Sequence, residues 1–191
     1  FDFYDYLSAT TPGYHLLLAL VAKVAGASLT VMRCASLAIG AGFVGLVGAG
    51  LASRVRPLVA GLLVWPLSAS LYVGQSAAYL LPDNMAWMLV AAMVLLALRD
   101  RPRAGTWVAM SVVLLALVCT RQIHLWTAGL VIGAAWMSRV AREEEYVGPA
   151  LLSEPGARIA PLMMGVVAVV PAVLVLKRFV TIWGGLVPPR F

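Results

Sequence analysis

Long apolar runs alternate with short polar or basic turns along most of this chain. Six of these runs extend over residues 30–52, 58–74, 83–98, 106–120, 122–138 and 161–176. A membrane-spanning helix needs roughly 20 mainly apolar residues, and a shorter run can span where flanking side chains reach the interface. The pattern therefore predicts an all-α, polytopic transmembrane bundle in which residues 30–176 form six transmembrane helices.

A shorter apolar run precedes these six and has a different character. Residues 14–25 include Tyr14, His15 and Lys23 among their apolar positions. A helix of this length covers about 18 Å, well short of the roughly 30 Å hydrocarbon core. We expect an interfacial helix within an outer loop over residues 1–29, and a second outer segment over residues 177–191.

Two local signals add detail to the predicted helices. Ala41, Gly45 and Ala49 recur every four residues, which places small side chains on one helix face where another helix can approach closely. Asp83 and Asn84 stand at the start of a run and have side chains suited to an N-cap. The residues before them, 75–82, are less apolar and are predicted to form a loop.

Composition supports the membrane assignment and excludes several other classes. Apolar residues make up 62% of the chain and charged residues only 12%, whereas about a quarter of a soluble domain is charged. The net charge of +6 comes from basic residues between apolar runs, so it indicates topology and headgroup contacts, and nucleic acid is not expected as a partner. Cys34 and Cys119 lie in apolar stretches, which indicates neither a disulfide framework nor a metal site.

The distribution of Lys and Arg predicts the orientation. Alternate connections place eight of the 14 basic residues on one side, namely Arg54, Arg56, Arg99, Arg101, Arg103, Arg139, Arg142 and Arg158. The other side receives Lys23, Arg33, Arg121, Lys177, Arg178 and Arg190. The positive-inside rule assigns the first side to the cytoplasm. Residues 1–29, 75–83, 121–124 and 177–191 then share the outer face.

Arg121 is the most informative residue of that outer face. It interrupts a long apolar stretch and is followed by Gln122 and His124. A guanidinium beside an amide and an imidazole is suited to binding a phosphate at the membrane surface. Arg121 is equally suited to end a helix and extend towards the lipid headgroups, and the sequence leaves both interpretations open.

The other outer residues have both structural and functional interpretations. Lys177 and Arg178 follow a span, as interface anchors do, and they could also contact a phosphate. His15 fits the wet side of an interfacial helix. Asp2 and Asp5 could be solvated, but a carboxylate near basic residues is also what general-base catalysis requires, so these two are the candidate catalytic residues.

Several short strings resemble one enzyme superfamily. They are TTPGYHLL at residues 10–17, the turn 26–28, and Arg33 at the start of a glycine-rich span. Together they are similar to the first outer loop and following helix of GT-C membrane glycosyltransferases. Within that superfamily, the TTPG string, Arg121-Gln122 and the WGG string at 183–185 most resemble dolichyl-phosphate-glucose alpha-1,2-glucosyltransferases and their bacterial relatives.

The resemblance implies a function and roles for particular residues. It implies transfer of a sugar from a polyprenyl- or dolichyl-phosphate donor to a glycan or glycolipid acceptor, outside a bacterial plasma membrane. The donor phosphate would be bound by five side chains, Arg121, Gln122, His124, Lys177 and Arg178. Thr11, His15 and Asp83 would position the acceptor or the outer loop. No cofactor is assigned, and a divalent metal is left open.

The family's acidic pair lies upstream of the Thr-Thr-Pro string, after a first span. We therefore expect this chain to be a piece of a longer protein, and Asp5 to match only a later acidic position in the same loop.

Two other classes compete with the enzyme. A transporter or lipid flippase would place polar groups on broken helices near the bilayer centre; Pro66 and Pro171 could break helices, but the predicted spans lack ionisable residues. A structural membrane subunit would have scattered polar groups. Proximity of Arg121 and His124 to residues 10–15, within about 10 Å, would favour the enzyme.

Overall fold

The structure is a computed structural model that describes residues 11–99, 102–145 and 155–185. All regular structure in these ranges is helical, as the sequence predicts. The elements are α1 Gly13–Ala25, α2 Leu29–Ala52, α3 Pro57–Ser68, α4 Leu71–Ala78, α5 Asp83–Ala97, α6 Ala104–Thr120, a 3₁₀ segment Gln122–Thr127, α7 Ala128–Glu145 and α8 Pro155–Trp183.

Two of these helices are long and apolar enough to cross a membrane. They are α2 and the Ile159–Trp183 part of α8. Helices α3 and α4 also qualify if they are taken together as one span, bent by 55° at the break between them, while α1, α5 and α6 are shorter apolar helices. The structure thus supports a membrane protein, and the count of six spans stays a prediction.

Local chemistry explains where the first helices begin and end. Gly26, at φ 101, lies in a backbone region that favours glycine and lets the chain leave α1. Ser28 then caps α2, because its hydroxyl oxygen accepts a hydrogen bond of 3.2 Å from the Val31 amide. Pro57 begins α3 at a position where the missing N–H has no helical partner.

Helices α2 and α5 run in the same direction. A Cβ on Gly40 would meet the Asn84 amide at the start of α5, and a Cβ on Gly50 would meet Leu95 near its end. The pair α3–α4 runs back along α2, since Gly48 lies near Val64 and Gly40 near Val73. The end of α4 and the start of α5 therefore lie beside the first half of α2, where Arg33 donates to the Ala78 carbonyl at 3.0 Å.

Helices α6, α7 and α8 surround an apolar core. The contact of Asp83, at the start of α5, with Arg121, after the end of α6, shows that these two helices are antiparallel. Gly165 closely approaches Ala135, and these residues lie ten positions after the start of α8 and ten before the end of α7, so α7 and α8 form an antiparallel pair. The buried core residues are Met93, Trp107, Met110, Leu114, Val118, Val131, Ala134, Ala135, Ala168 and Ala172.

Many large apolar side chains face outward. Leu58 is 77% exposed and Leu71 80% exposed. A soluble monomer rarely exposes so much contiguous apolar surface. This surface is the one expected of helices that contact lipid.

The predicted small-residue face of α2 is wrong as a contact between helices of this chain. Ala41, Gly45 and Ala49 are all exposed, and a Cβ on Gly45 would meet nothing within 4 Å. The close approaches are made instead by Gly40 and Gly50. The reason is that α4 and α5 pack on the other side of α2, which a four-residue spacing alone does not reveal.

Several predicted boundaries also differ from the structure: the run 122–138 begins as a 3₁₀ segment before α7, and the run 161–176 is only the middle of α8. Residues 75–82 were expected to be a loop, but α4 continues through Gln75 to Ala78. The break between α3 and α4 comes after Ser68 rather than at Pro66, which stays inside α3. Pro171 likewise lies within the continuous helix α8.

Candidate functional site

Two charged residues, Asp83 and Arg121, meet where α5 begins and α6 ends. Asp83 is the first residue of α5, and Arg121 is the residue that ends α6. The Arg121 guanidinium donates a hydrogen bond to the Asp83 carboxylate and forms an ion pair with it. A contact between residues so far apart in sequence ties the ends of two helices together.

The Asp83–Arg121 pair is only partly buried. The Asp83 side chain is 11% exposed and the Arg121 side chain 39% exposed. The carboxylate is thus largely covered, while part of the guanidinium remains accessible. The prediction that Asp83 caps α5 is wrong, because the N-cap is Pro82 and no side chain caps this helix.

The backbone at Arg121 explains how its side chain reaches Asp83. Arg121 has extended angles, φ −153 and ψ 118, so α6 ends there. Its amide still donates to the Leu117 carbonyl at 2.8 Å, and its carbonyl accepts from the His124 amide at 3.0 Å, which starts the 3₁₀ segment. The chain therefore reverses within one short segment that carries Gln122 and His124.

His124 lies half-buried in that segment, within the connection 121–124 assigned to the outer face and before α7 begins at Ala128. Its Nδ1 atom is buried, and no described residue hydrogen-bonds to it. Burial lowers the pKa of His124 below its usual value, the Arg121 charge lowers it further, and Asp83 opposes this shift. The imidazole is therefore neutral at pH 7. The Thr127 hydroxyl donates to the His124 carbonyl at 2.7 Å and fixes the backbone beside it.

Thr11 joins the start of the described chain to the same region. It is fully buried, and its hydroxyl donates to the Val118 carbonyl at 2.7 Å. Gly13 follows, and a Cβ there would lie 2.5 Å from the Cys119 carbonyl oxygen, so only glycine permits this approach. Because the Thr11 hydroxyl is already engaged, its role is to hold the chain rather than to bind an acceptor.

The residues after Gly13 extend this attachment. Tyr14 is buried, and its hydroxyl donates to the Ser36 hydroxyl of α2 at 3.0 Å. His15 points elsewhere: it is exposed, and its ring packs edge-on against Tyr14 with centroids 6.0 Å apart. The start of α1 is thus fixed by two contacts, Thr11 with the end of α6 and Tyr14 with α2. His15 takes no part in either contact.

Lys177 and Arg178 do not join the Asp83–Arg121 pair. Both are exposed near the end of α8, a helix that packs mainly on α6 and α7. Antiparallel packing against α7 places them at the same end of the bundle as Arg121, but neither of them forms an ion pair with Asp83 in the described part of the chain. Asp2 and Asp5 lie outside the described residues.

Two aromatic residues at the site were missed by the sequence analysis. Tyr72 of α4 interacts with Asp83, Arg121 and Trp87. Tyr72 is 52% exposed and Trp87 44% exposed. Trp87 could have been found, since it follows Asp83 by four residues and so shares its helix face. Tyr72 gave no such signal, because its position depends on the bend between α3 and α4.

Metal-binding residues do not cluster here. The described residues contain no group of three or more His, Cys, Asp or Glu side chains that could hold a metal ion. The site consists of the Asp83–Arg121 pair, the half-buried His124 ring, and the exposed rings of Tyr72 and Trp87.

Comparison with protein-family models, with curated proteins and with solved structures finds no match for this chain.

Proposed function

We propose that this chain is the six-span central part of a membrane glycosyltransferase of the GT-C type. It transfers a sugar from a polyprenyl- or dolichyl-phosphate donor to a glycan or glycolipid acceptor, on the extracytoplasmic face of a bacterial plasma membrane. The observation that carries the proposal is the partly exposed Arg121 guanidinium, held by Asp83 where α5 begins and α6 ends.

The ion pair suits Arg121 to bind a phosphate. A guanidinium has five N–H donors in a fixed plane. Asp83 accepts from one of its terminal nitrogens and holds the plane in one orientation, while the exposed part retains donors for a second anion. A lipid-linked phosphate arriving along the bundle would accept from these donors in the two-point geometry that arginine favours.

The same arrangement supports sugar transfer. When the bond between sugar and phosphate breaks, negative charge grows on the leaving phosphate, and a preorganised cation stabilises that charge. A neutral His124 ring would donate a hydrogen bond to the phosphate without adding a second positive charge. Asp2 or Asp5, just before the Thr11 anchor, would accept the proton of the acceptor hydroxyl.

The Thr11 hydrogen bond supports this arrangement. It fixes the chain to Val118, one turn before Arg121, so the described part of the chain begins beside the proposed phosphate site. We propose that an acidic residue before Thr11 acts there, because placing a base close to a charge-stabilising group is a large part of enzymatic rate acceleration.

A transporter or flippase is the second candidate, and one observation favours it. The 55° bend between α3 and α4 lies near the buried Asn84, whose Oδ1 atom has no hydrogen-bond partner among the described residues. Broken helices with polar contacts are typical of transporter sites. The ionisable pair, however, lies where α5 begins and α6 ends rather than inside either helix, which favours the enzyme.

Transfer from a defined donor tests the proposal. The protein is reconstituted in liposomes with polyprenyl-phosphate sugar, and release of polyprenyl phosphate is measured together with donor binding. Arg121→Ala should reduce transfer by at least about 100-fold, as loss of a transition-state charge contact does. Arg54→Ala, which removes an exposed arginine at the opposite end of the bundle, should retain wild-type transfer.

Two results would contradict the proposal. One is wild-type transfer by Arg121→Ala. The other is labelling from opposite sides of the membrane for single cysteines placed at residues 9 and 123. Flux of lipid-linked sugar across the bilayer without bond cleavage would favour the flippase instead.

A further inference from the structure

A groove runs along the outward side of the contact between α7 and α8. It encloses about 410 Å³ and is lined by Ile132, Val166, Val169, Val170, Val173 and Leu174. Every lining residue is apolar, and Leu174 is 60% exposed. The groove is therefore a concave, apolar surface that faces the hydrocarbon of a bilayer.

Helix α8 extends well beyond the part of α7 that it contacts. Gly165 lies so close to α7 that a Cβ would be 2.7 Å from the Ala135 Cβ. From there α7 reaches its first residue, Ala128, within about two turns, whereas α8 continues to Trp183 for about 27 Å. The last part of α8, which carries Lys177, therefore extends past the first residue of α7.

A cation stands on the helix face that lines the groove. Val166, Val170, Val173 and Lys177 follow one another by four, three and four residues, so they share one face of α8. Arg178 is next to Lys177, and both are exposed. Helix α8 contains no acidic residue, and neither cation forms an ion pair within the described part of the chain.

The length of the apolar strip limits what fits there. From Val166 to Lys177, α8 rises about 16 Å. This distance is close to half of the roughly 30 Å hydrocarbon core, and therefore to one leaflet. A glycerophospholipid has acyl chains of one-leaflet length, whereas a polyprenyl chain of many isoprene units is longer.

We propose that the groove binds an anionic glycerophospholipid of the surrounding bilayer. One acyl chain lies against Val166, Val170 and Val173, and the headgroup phosphate contacts Lys177 with Arg178 beside it. Basic side chains just above an apolar surface between helices are a recognised basis for selecting anionic lipids. This site is distinct from the Asp83–Arg121 pair and does not depend on the proposed sugar transfer.

Lipid binding to the delipidated protein tests this site. The purified protein is titrated with phosphatidylglycerol or phosphatidylcholine, and bound lipids are counted by native mass spectrometry. The double variant Lys177→Gln/Arg178→Gln should bind phosphatidylglycerol at least about tenfold more weakly, since each cation near the surface contributes roughly a fivefold factor. Its binding of phosphatidylcholine should not change.

Matched variants separate the groove from general surface effects. Arg54→Gln/Arg56→Gln removes the same charge from two exposed arginines at the opposite end of the bundle and should not change the first binding step. Val170→Phe, which fills the groove, should weaken phosphatidylglycerol binding. Val167→Phe should not, because Val167 is 59% exposed but does not line the groove.

Three outcomes would overturn the proposal. The first is equal loss of binding in the two double-charge variants, which would indicate a nonspecific charge effect. The second is equal behaviour of Val170→Phe and Val167→Phe. The third is displacement of phosphatidylglycerol by an equimolar amount of polyprenyl monophosphate, which would identify the occupant as the carrier lipid. None of these measurements involves sugar transfer. A negative result would therefore contradict the lipid site and leave the proposed function untouched.

Discussion

The two sides of the helix bundle are held together by different means. Around α2, α4 and α5, buried polar groups make the contacts: the Asn84 amide donates to the Val73 carbonyl at 3.0 Å, and the Asn84 backbone donates to the Ser76 hydroxyl at 3.3 Å. Around α6, α7 and α8 the core is apolar, with Met110, Leu114 and Val131 fully buried.

The difference matters because of where the site lies. Lipid tails are as apolar as leucine, so apolar surface by itself does not drive helices together in a bilayer, and close packing and hydrogen bonds do. Asp83 starts α5, on the polar side, and Arg121 ends α6, on the apolar side. The ion pair thus joins the two sides, and its geometry depends on both kinds of contact.

The largest expected loss of stability comes from the apolar side. Leu114→Ala should lower the free energy of unfolding by about 2–4 kcal/mol, because it opens a cavity in a buried, packed apolar core. Thermal or denaturant unfolding in detergent, followed by circular dichroism, measures this. The exposed Leu58 provides the control, since Leu58→Ala should change stability far less. Equal losses in the two variants would mean that Leu114 does not lie in a packed core.

A smaller effect is expected where α7 and α8 touch. Gly165→Ala places a Cβ at 2.7 Å from the Ala135 Cβ, so the helices must shift at a cost of about 1–2 kcal/mol. Gly45→Ala is the matched control, because its Cβ would meet nothing within 4 Å and alanine is the better helix former by up to about 1 kcal/mol. The order of the two melting temperatures decides this prediction, and a Gly165→Ala protein more stable than Gly45→Ala would contradict it.

On the polar side, Asn84→Ala should cost about 1 kcal/mol, the scale measured for hydrogen bonds between membrane helices. The substitution removes the side-chain amide that donates to the Val73 carbonyl. The start of α5, which carries Asp83, is then attached less firmly to α4. We therefore expect the rate of sugar transfer to fall by more, expressed as a free energy, than the free energy of unfolding falls. Thr181→Ala removes an exposed hydroxyl that bonds within its own helix, and it should change neither quantity. Unchanged transfer in Asn84→Ala would show that the polar contacts do not position the pair.

The smallest effect is a pH dependence at the junction of the two sides. Because the folded-state pKa of His124 lies below its usual value near 6.5, the unfolded chain binds this proton more readily. Stability from the neutral ring is therefore fully present above pH 6.5 and decreases as pH falls below it. Melting curves at pH 7.5 and 5 should differ less in His124→Asn than in wild type. An unchanged pH dependence in this variant would assign the effect to another group.

The sequence predicted the helical class and named several of the residues around the Asp83–Arg121 pair. Alternating runs place Asp83, Arg121 and Thr11 on one face, and in the structure Asp83 contacts Arg121 while Thr11 bonds to Val118, one turn before Arg121. The partners of these residues were not predictable. The sequence suggested that Asp83 caps a helix and that Lys177 shares the site of Arg121, since spacing along one helix carries no information about which neighbour fills the space beside it.

What the sequence determined by itself is the apolar character of the helices and, to within two residues, the bounds of α1, α2, α5 and α6. These follow from local chemistry: runs long enough to bury in lipid, a serine cap at Ser28, and a proline at the first turn of α3. Tertiary structure alone decided which glycines of α2 face a helix and that Tyr72 and Trp87 flank the ion pair. It also decided that an apolar groove lies beside the contact between α7 and α8. These features depend on helix lengths and rotations fixed only when all the helices pack together, because in a bilayer shape and a few polar bonds, rather than hydrophobicity, select the contacts.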